Sequence, residues 1–279
     1  MEPRLQRRVQ RYGWDLAVEA YDRHWRTQLA GLHAELMDCA APRPGERVLD
    51  VACGTGLVTF AAAAAVGGNG RVMGIDLSGQ MVEGAQQRAQ RMGATNVAFA
   101  RMDAEELAFA DASFDLVLCA LGLMYLPDPA RAMQEMRRVL RPDGRIVVAV
   151  WGERARCGWA PLFGIVEAEV ASDVCPLFFG LGQGQSLARL CMGAGLQVLA
   201  QRRLADLLAY RHADDACDAA LAGGPVAMAW SRFDAVVRAR VRERYVQAIE
   251  PCRADGGYRI PAEFVIVSAT PAGASAFPG

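Results

Sequence analysis

The chain has 279 residues, 53% of them apolar and 22% charged, and a formal net charge of -1, which supplies a large core and excludes global disorder. Its 30 Lys and Arg are scattered rather than striped, against a nucleic-acid-binding surface; the densest basic stretch, 238–244, reads as one solvated helical face. No run approaches the ~20 apolar residues of a membrane span, the first residues hold no secretory core, and the expected compartment is the cytoplasm.

A helix is predicted over 15–39, where Leu16, Ala20, Leu29, Leu32 and Leu36 recur at helical spacing. VLDVA (48–52) is a short apolar strand that runs into CGTG, and an Ala-rich helix follows over 57–66. Gly67, Gly68 and Gly70 break that helix, and RVMGID (71–76) forms a second buried strand. Ser78 caps a helix to about Met92, and strands follow at 97–101 and 114–120. Pro129 opens another helix, RPDGR closes it, and RIVVAVW (145–151) is the fifth strand. Regular alternation then stops. A segment over 152–184, rich in Trp, Phe, Gly and Cys, is a candidate cap, with a helix over 187–193 and a strand at 196–204. A second irregular or helical stretch covers 206–255, and a last strand covers 263–270. The fold class is α/β: a Rossmann-like, seven-stranded, mostly parallel sheet with helices on both faces, N-terminal helices and a cap after strand 5. The expected parts are an N-terminal helical segment (1–44), a core (45–151), the rest of the sheet with cap insertions (152–270) and a loose tail (271–279).

The eight cysteines, Cys39, Cys53, Cys119, Cys157, Cys175, Cys191, Cys217 and Cys252, are expected as reduced, buried thiols. No two fall at paired zinc-site spacing, and no metal is expected.

VLDVACGTG carries the chemistry. A strand that passes through Gly54 and Gly56 into a helix lets a ligand approach the backbone closely. A phosphate-binding P-loop needs Lys followed by Ser or Thr, where Leu57 and Val58 stand, and the dinucleotide fingerprint needs a third glycine where Thr59 stands. Asp50 just ahead of the loop suits a cationic amino-acid ligand and opposes a pyrophosphate. Asp76 ends the second strand 20 residues beyond Gly56, where a carboxylate reaches ribose hydroxyls. Asp103, past the third strand, can accept from an adenine amino group or cap a helix.

These stretches, with GIDLSGQMVEGA (74–85) and the continuous run from Arg101 to Trp151, resemble the class I S-adenosylmethionine-dependent methyltransferases. In particular, they are similar to the branch of the ubiquinone and menaquinone biosynthesis C-methyltransferases. The resemblance covers residues 45–151 and implies S-adenosyl-L-methionine as cofactor. It implies that Asp50 and the backbone of Ala52, Gly54 and Gly56 hold the methionine moiety and that Asp76 binds the ribose. Leu77 and Met81 would flank the adenine ring, Asp103 and Ala104 would meet its edge, and Cys119 and Leu121 would line the methionine end. Tyr21, and Trp25 beside it, would close the site from an N-terminal helix.

In-line transfer from a sulfonium needs mainly a nucleophile held about 3 Å away on the axis opposite sulfur, with a general base only where the acceptor must lose a proton. His24, three residues after Tyr21, and Tyr125, after the fourth strand, are the catalytic candidates. Trp151, Trp159, Phe163, Phe178, Phe179, Met228, Trp230 and Phe233 suggest a small apolar or aromatic acceptor, or simply the core of a cap. Two rivals stand beside this: an arsenical methyltransferase using the cysteines, and a non-catalytic S-adenosylmethionine-binding or scaffold protein. No nucleic-acid partner is expected, and the chain is taken as a monomer or homodimer.

Overall fold

The computed structural model describes residues 2–170 and 178–273. Strand β1 (Arg47–Val51) is buried at every position after the first, as an apolar run covered on both faces must be. Around it stand β2 (Arg71–Asp76), β3 (Val97–Arg101), β4 (Phe114–Ala120), β5 (Leu140–Trp151), β6 (Leu196–Tyr210), β7 (Arg253–Ala254) and β8 (Gly257–Pro271). The sheet order is β3-β2-β1-β4-β5-β8-β6, with the two-residue β7 paired to β8 as an eighth strand. Pairs among β1 to β5 are parallel, and β8 runs antiparallel between β5 and β6. The helices are α1 (Pro3–Gln28), α2 (Ala30–Ala40), α3 (Leu57–Val66), α4 (Gly79–Met92), α5 (Pro129–Val139), α6 (Pro161–Val170), α7 (Ser186–Gly193), α8 (Ala213–Cys217), α9 (Ala227–Arg232) and α10 (Ala235–Ile249), with a π-helical turn at Asp218–Ala222. Helices flank the sheet: α2 packs on α3, and α5 on α7.

Helix starts follow the expected chemistry. Ser78 Oγ accepts from the Met81 N–H at 3.1 Å and caps α4, while Asp128 caps α5 by accepting from Arg131 N–H at 2.9 Å, with Pro129 in the first turn. Arg145 closes the other end of α2. Its guanidinium donates to the carbonyls of Ala40 and Ala41 and, in a fork, to Glu46 at 2.8 and 2.9 Å, so carbonyls left without helical partners find one.

Three boundaries differ from the sequence reading. The helix expected over 15–39 is two helices: α1 begins at Pro3 and ends at Leu29, whose φ and ψ are -96° and 4°. Its buried positions, Gln10, Gly13, Ala17 and Trp25, include too few aliphatic residues for the early turns to show as apolar periodicity. β5 starts at Leu140, because Leu140 pairs with Phe114 ahead of a register shift at Leu116. β6 and β8 pair from Leu196 with Pro271 to Tyr210 with Tyr258, so 206–210 is strand and only the stretch beyond it is largely helical. Cys175 and most of the expected tail, 274–279, lie outside the described residues.

The deepest layer runs through the middle strands, where Leu116, Leu118, Val147 and Val148 are fully buried. Leu118→Ala is expected to cost ~2–5 kcal/mol through lost burial and the cavity left behind. Urea unfolding checks this: the midpoint falls while the slope stays constant.

Candidate functional site

The carboxyl ends of β1 and β4 lie side by side, and the chain leaves both in left-handed backbone. Ala52 has φ 56° and Leu121 has φ 58°, while Gly54 and Gly56 on the same loop have φ 54° and 84°. A Cβ on Gly122 would stand 2.5 Å from the Ala52 Cβ, so the two turns touch. Left-handed backbone costs a non-glycine residue on the order of 1–2 kcal/mol, and here that strain collects at the mouth of a cleft, as it does at functional sites.

Asp76, at the end of β2, accepts from the Gly54 N–H at 2.9 Å with Oδ2 and from the Ser78 N–H at 2.9 Å with Oδ1. Burial pushes its carboxyl up to about 6 against the downward pull of those two N–H groups. Asp50 is 1% exposed and accepts from the Thr59 hydroxyl at 2.6 Å. Burial, with the nearby Asp76 charge, pushes it up to about 7 despite that bond. Burial and the Asp76 and Asp50 charges also raise the Tyr21 phenol. The Cys53 thiol is raised by burial, then by the same acids, and the Cys119 thiol is pushed up to about 12; both are held as neutral SH groups.

Helix α1 forms one wall. Arg7, Gln10, Arg11, Trp14, Tyr21 and Trp25 line the cleft at the spacing of one helical stripe. Polar contacts fasten it. Asp15 accepts from the Ser78 hydroxyl at 2.6 Å and from the Gln80 N–H at 3.2 Å. Asp22 accepts from the Thr55 hydroxyl at 2.9 Å. Arg7 pairs with Asp103 at 2.9 Å and with Glu105, while Asp103 also accepts from the Glu105 N–H at 2.9 Å.

Much of the remaining wall is aromatic. Tyr125, Trp25, Trp151 and Trp159 form its wall together with Gly223, Gly224 and Pro225. Ring centroids of Trp151 and Trp159 are 4.7 Å apart, Trp25 is 5.9 Å from Trp151, and Trp14 meets Tyr125 edge-on at 5.2 Å. Phe163, Phe178 and Phe179 pack against Trp159 at 5.6 to 5.8 Å. Of the aromatic set singled out in sequence, only Trp151 and Trp159 are on the wall. Phe163, Phe178 and Phe179 support it, and Met228, Trp230 and Phe233 are not part of it.

Among the sequence candidates, Tyr21, Ala52, Gly54, Asp76, Leu77, Met81, Asp103, Ala104, Leu121 and Tyr125 are brought together around this one cleft. Asp50, Gly56 and Cys119 lie beside it, not on its wall. Asp50 is buried next to Ala52, Gly56 precedes α3 with Phe60 2.8 Å from where its Cβ would be, and Cys119 is inside β4. His24 does not face the cleft: a helix turns about 100° per residue, which carries His24 off the stripe that Trp14 and Trp25 share. Arg7, Gln10, Arg11, Trp14 and Gly122 were missed; the stripe spacing back from Tyr21 and Trp25 was the available signal for the first four. Among the described residues, no three His, Cys, Asp or Glu side chains gather as a metal site.

The family described as a methyltransferase domain matches residues 42–174. Aklanonic acid methyltransferase DauC of Streptomyces sp. (strain C5) is 38% identical over 133 residues, 48% of this chain and 60% of that protein. A demethylmenaquinone methyltransferase of Bacillus cytotoxicus is 32% identical over 200 residues, 65% of this chain and 80% of that protein. The match thus spans less than two thirds of the first relative and four fifths of the second. The crystal structure of the Bacillus halodurans C-125 protein BH2331 shares the fold, with a TM-score of 0.63 at 22% identity over 86% of this chain and 98% of that one. Taken with the glycine loop, the acid at the end of β2 and the sheet order, the similarity to DauC and to the Bacillus cytotoxicus enzyme means that the chain belongs to the class I methyltransferases, whose methyl donor is S-adenosyl-L-methionine.

Proposed function

We propose that this chain transfers the methyl group of S-adenosylmethionine to a small, planar acceptor that is apolar or aromatic. The observation that carries this is one cleft lined both by Asp76, Asp103 and the Gly54 backbone and by the rings of Trp14, Tyr21, Trp25, Tyr125, Trp151 and Trp159. The names of the two relatives, an aklanonic acid methyltransferase and a demethylmenaquinone methyltransferase, lean the same way.

The residues fit the cofactor. Neither Asp50 nor Asp76 has an ion-pair partner among the described residues, and burial lifts both toward neutral pH, so a cationic ligand compensates a charge that is costly as it stands. Asp50 and the backbone of Ala52, Gly54 and Gly56 hold the methionine moiety, with Asp50 acting from behind the loop. Asp76 takes the ribose hydroxyls, Leu77 and Met81 flank the adenine, Asp103 and Ala104 meet its edge, and Leu121, backed by Cys119, lines the methionine end. When bound, the cofactor supplies an electrophilic methyl group on a sulfonium. Tyr21 and Trp25 cover the site and exclude water, and Tyr125, Trp151 and Trp159 orient the acceptor. The protonated Cys53 and Cys119 thiols do not compete as nucleophiles. Tyr125 touches the acceptor, and His24 is left without a catalytic part.

We further infer a cytoplasmic chain that acts on small molecules and not on nucleic acid, as a monomer or homodimer; no helix of the described residues is long and apolar enough to cross a membrane. The arsenical alternative gains nothing from the cysteines, since among the described residues seven are free and form no cluster, and a purely binding role gains nothing from a ring-lined space beyond the cofactor residues.

Asp76→Ala is expected to weaken S-adenosylmethionine binding at least ~10-fold in calorimetric titration, the loss of a buried charge-assisted contact, while NADH binds neither protein. Unchanged affinity in the folded variant contradicts the cofactor assignment. The pH dependence follows from the raised acids. At Asp50 and Asp76 the ligand-free fold holds protons that the unfolded chain has released between the ordinary carboxylate range and about 7, so their contribution to stability falls as pH rises through that window, while His33, pushed down to about 4 by burial, contributes in the opposite sense. The cationic cofactor takes the ionised acids, so its affinity rises from pH 5 to 7, and Asp76→Asn flattens the step near 6. Affinity constant over that range counts against a charge-based site.

A further inference from the structure

Trp159 is 2% exposed, it forms part of the aromatic wall, and its indole N–H has no hydrogen-bond acceptor among the described residues. An indole nitrogen is a donor only, and leaving one buried and unmatched forfeits its hydration with nothing in return, so such groups are few and call for an explanation. The adjacent Trp25 shows the ordinary solution: its N–H donates to the Ala219 carbonyl at 3.0 Å. Among the described residues, five rings surround Trp159, those of Trp25, Trp151, Phe163, Phe178 and Phe179. These fix its plane and offer no oxygen. The other partnerless buried atoms outside α1's cleft-facing arginines, on His24, Gln201 and Arg238, belong to residues off the cleft.

We infer that the Trp159 indole N–H is the recognition donor for an oxygen of the methyl acceptor, which makes the substrate class a planar aromatic carrying a carbonyl or phenolic oxygen. This rests on the assignment of the aromatic wall of the cleft to the acceptor. The rings of Trp151 and Trp159 contact the acceptor's hydrocarbon surface, and the oxygen meets the Trp159 N–H, a buried donor of that cage with no acceptor among the described residues. A wall of rings alone ranks ligands by area. A buried donor among them rejects an isostere lacking the oxygen, because binding it leaves the N–H unpaired. Trp159 is a specificity residue in this account: it touches the acceptor and takes no proton.

The test uses the full chain, labelled with nitrogen-15, and two probes of one shape, 1-indanone and indane. Five tryptophans give five indole signals, and Trp159→Phe, which keeps a ring and removes the N–H, identifies that of Trp159. Both probes are expected to bind, 1-indanone ~10-fold more tightly, the worth of one hydrogen bond in a dry site. The Trp159 indole proton moves downfield with 1-indanone alone, and in Trp159→Phe the preference disappears while indane affinity stays. Equal binding of the two probes, or a preference that survives the substitution, overturns the role of Trp159 and leaves the acceptor cage standing. Binding of neither probe overturns the acceptor cage itself, and the role of Trp159 with it. If Trp159→Phe does not fold, the wild-type indole proton is assigned through its contacts to Phe163 and Phe178, and its response to 1-indanone decides the matter.

Discussion

A single carboxylate joins the parts of this site. Asp76 takes the Gly54 N–H with one oxygen and the Ser78 N–H with the other, so the turn after β1 and the head of α4 are registered on the end of β2. Ser78 then caps α4 and donates to Asp15 of α1, so the same cluster reaches the helix that covers the cleft. The arrangement confines two acids near one opening. Burial raises both, with the Asp76 charge adding to it at Asp50 and the Asp15 charge adding to it at Asp76, and a positively charged ligand relieves the cost of those buried charges.

α1 turns an open sheet edge into a cleft. Its polar contacts come from the wall-forming stripe and from one flank of it: Arg7 on Asp103 and Glu105, Asp15 on Ser78 and Gln80, Asp22 on Thr55. Since Asp103 is both an anchor for Arg7 and a neighbour of the proposed adenine edge, occupancy of the cofactor site and the seating of α1 share a residue. The aromatic wall has a different origin. Trp151 ends β5, Trp159 follows a 3-10 turn, and Trp25 comes from α1, so three separate segments must pack before the acceptor space exists.

Much of this was legible in the residues. The β-α alternation from 48 to 151 appears as apolar runs punctuated by glycine, the glycine loop with its two acids points to a cationic ligand that carries a ribose, and the resemblance to the class I methyltransferases implies which one. What was not legible had physical causes. The first three turns of α1 bury Gln10 and Gly13 and face the cleft with arginines and Trp14, so apolar periodicity could not mark them. His24 looked suitable because three residues separate it from Tyr21, but helical rotation favours the four-residue step to Trp25. The strained backbone at Ala52 and Leu121 has no composition signal, since neither residue is one that left-handed positions select. The partnerless state of Trp159 depends on what surrounds it, which no local pattern encodes.

The most direct test of the central claim is transfer itself: the protein is incubated with S-adenosylmethionine carrying a labelled methyl group and a panel of planar aromatics bearing hydroxyl, keto, amino or carboxyl groups. The account predicts label in at least one oxygenated aromatic, with one S-adenosylhomocysteine formed per methyl transferred. Tight binding of S-adenosylmethionine with no label in any acceptor and no S-adenosylhomocysteine formed would contradict it, and would make the chain a binder of the cofactor and not an enzyme that spends it.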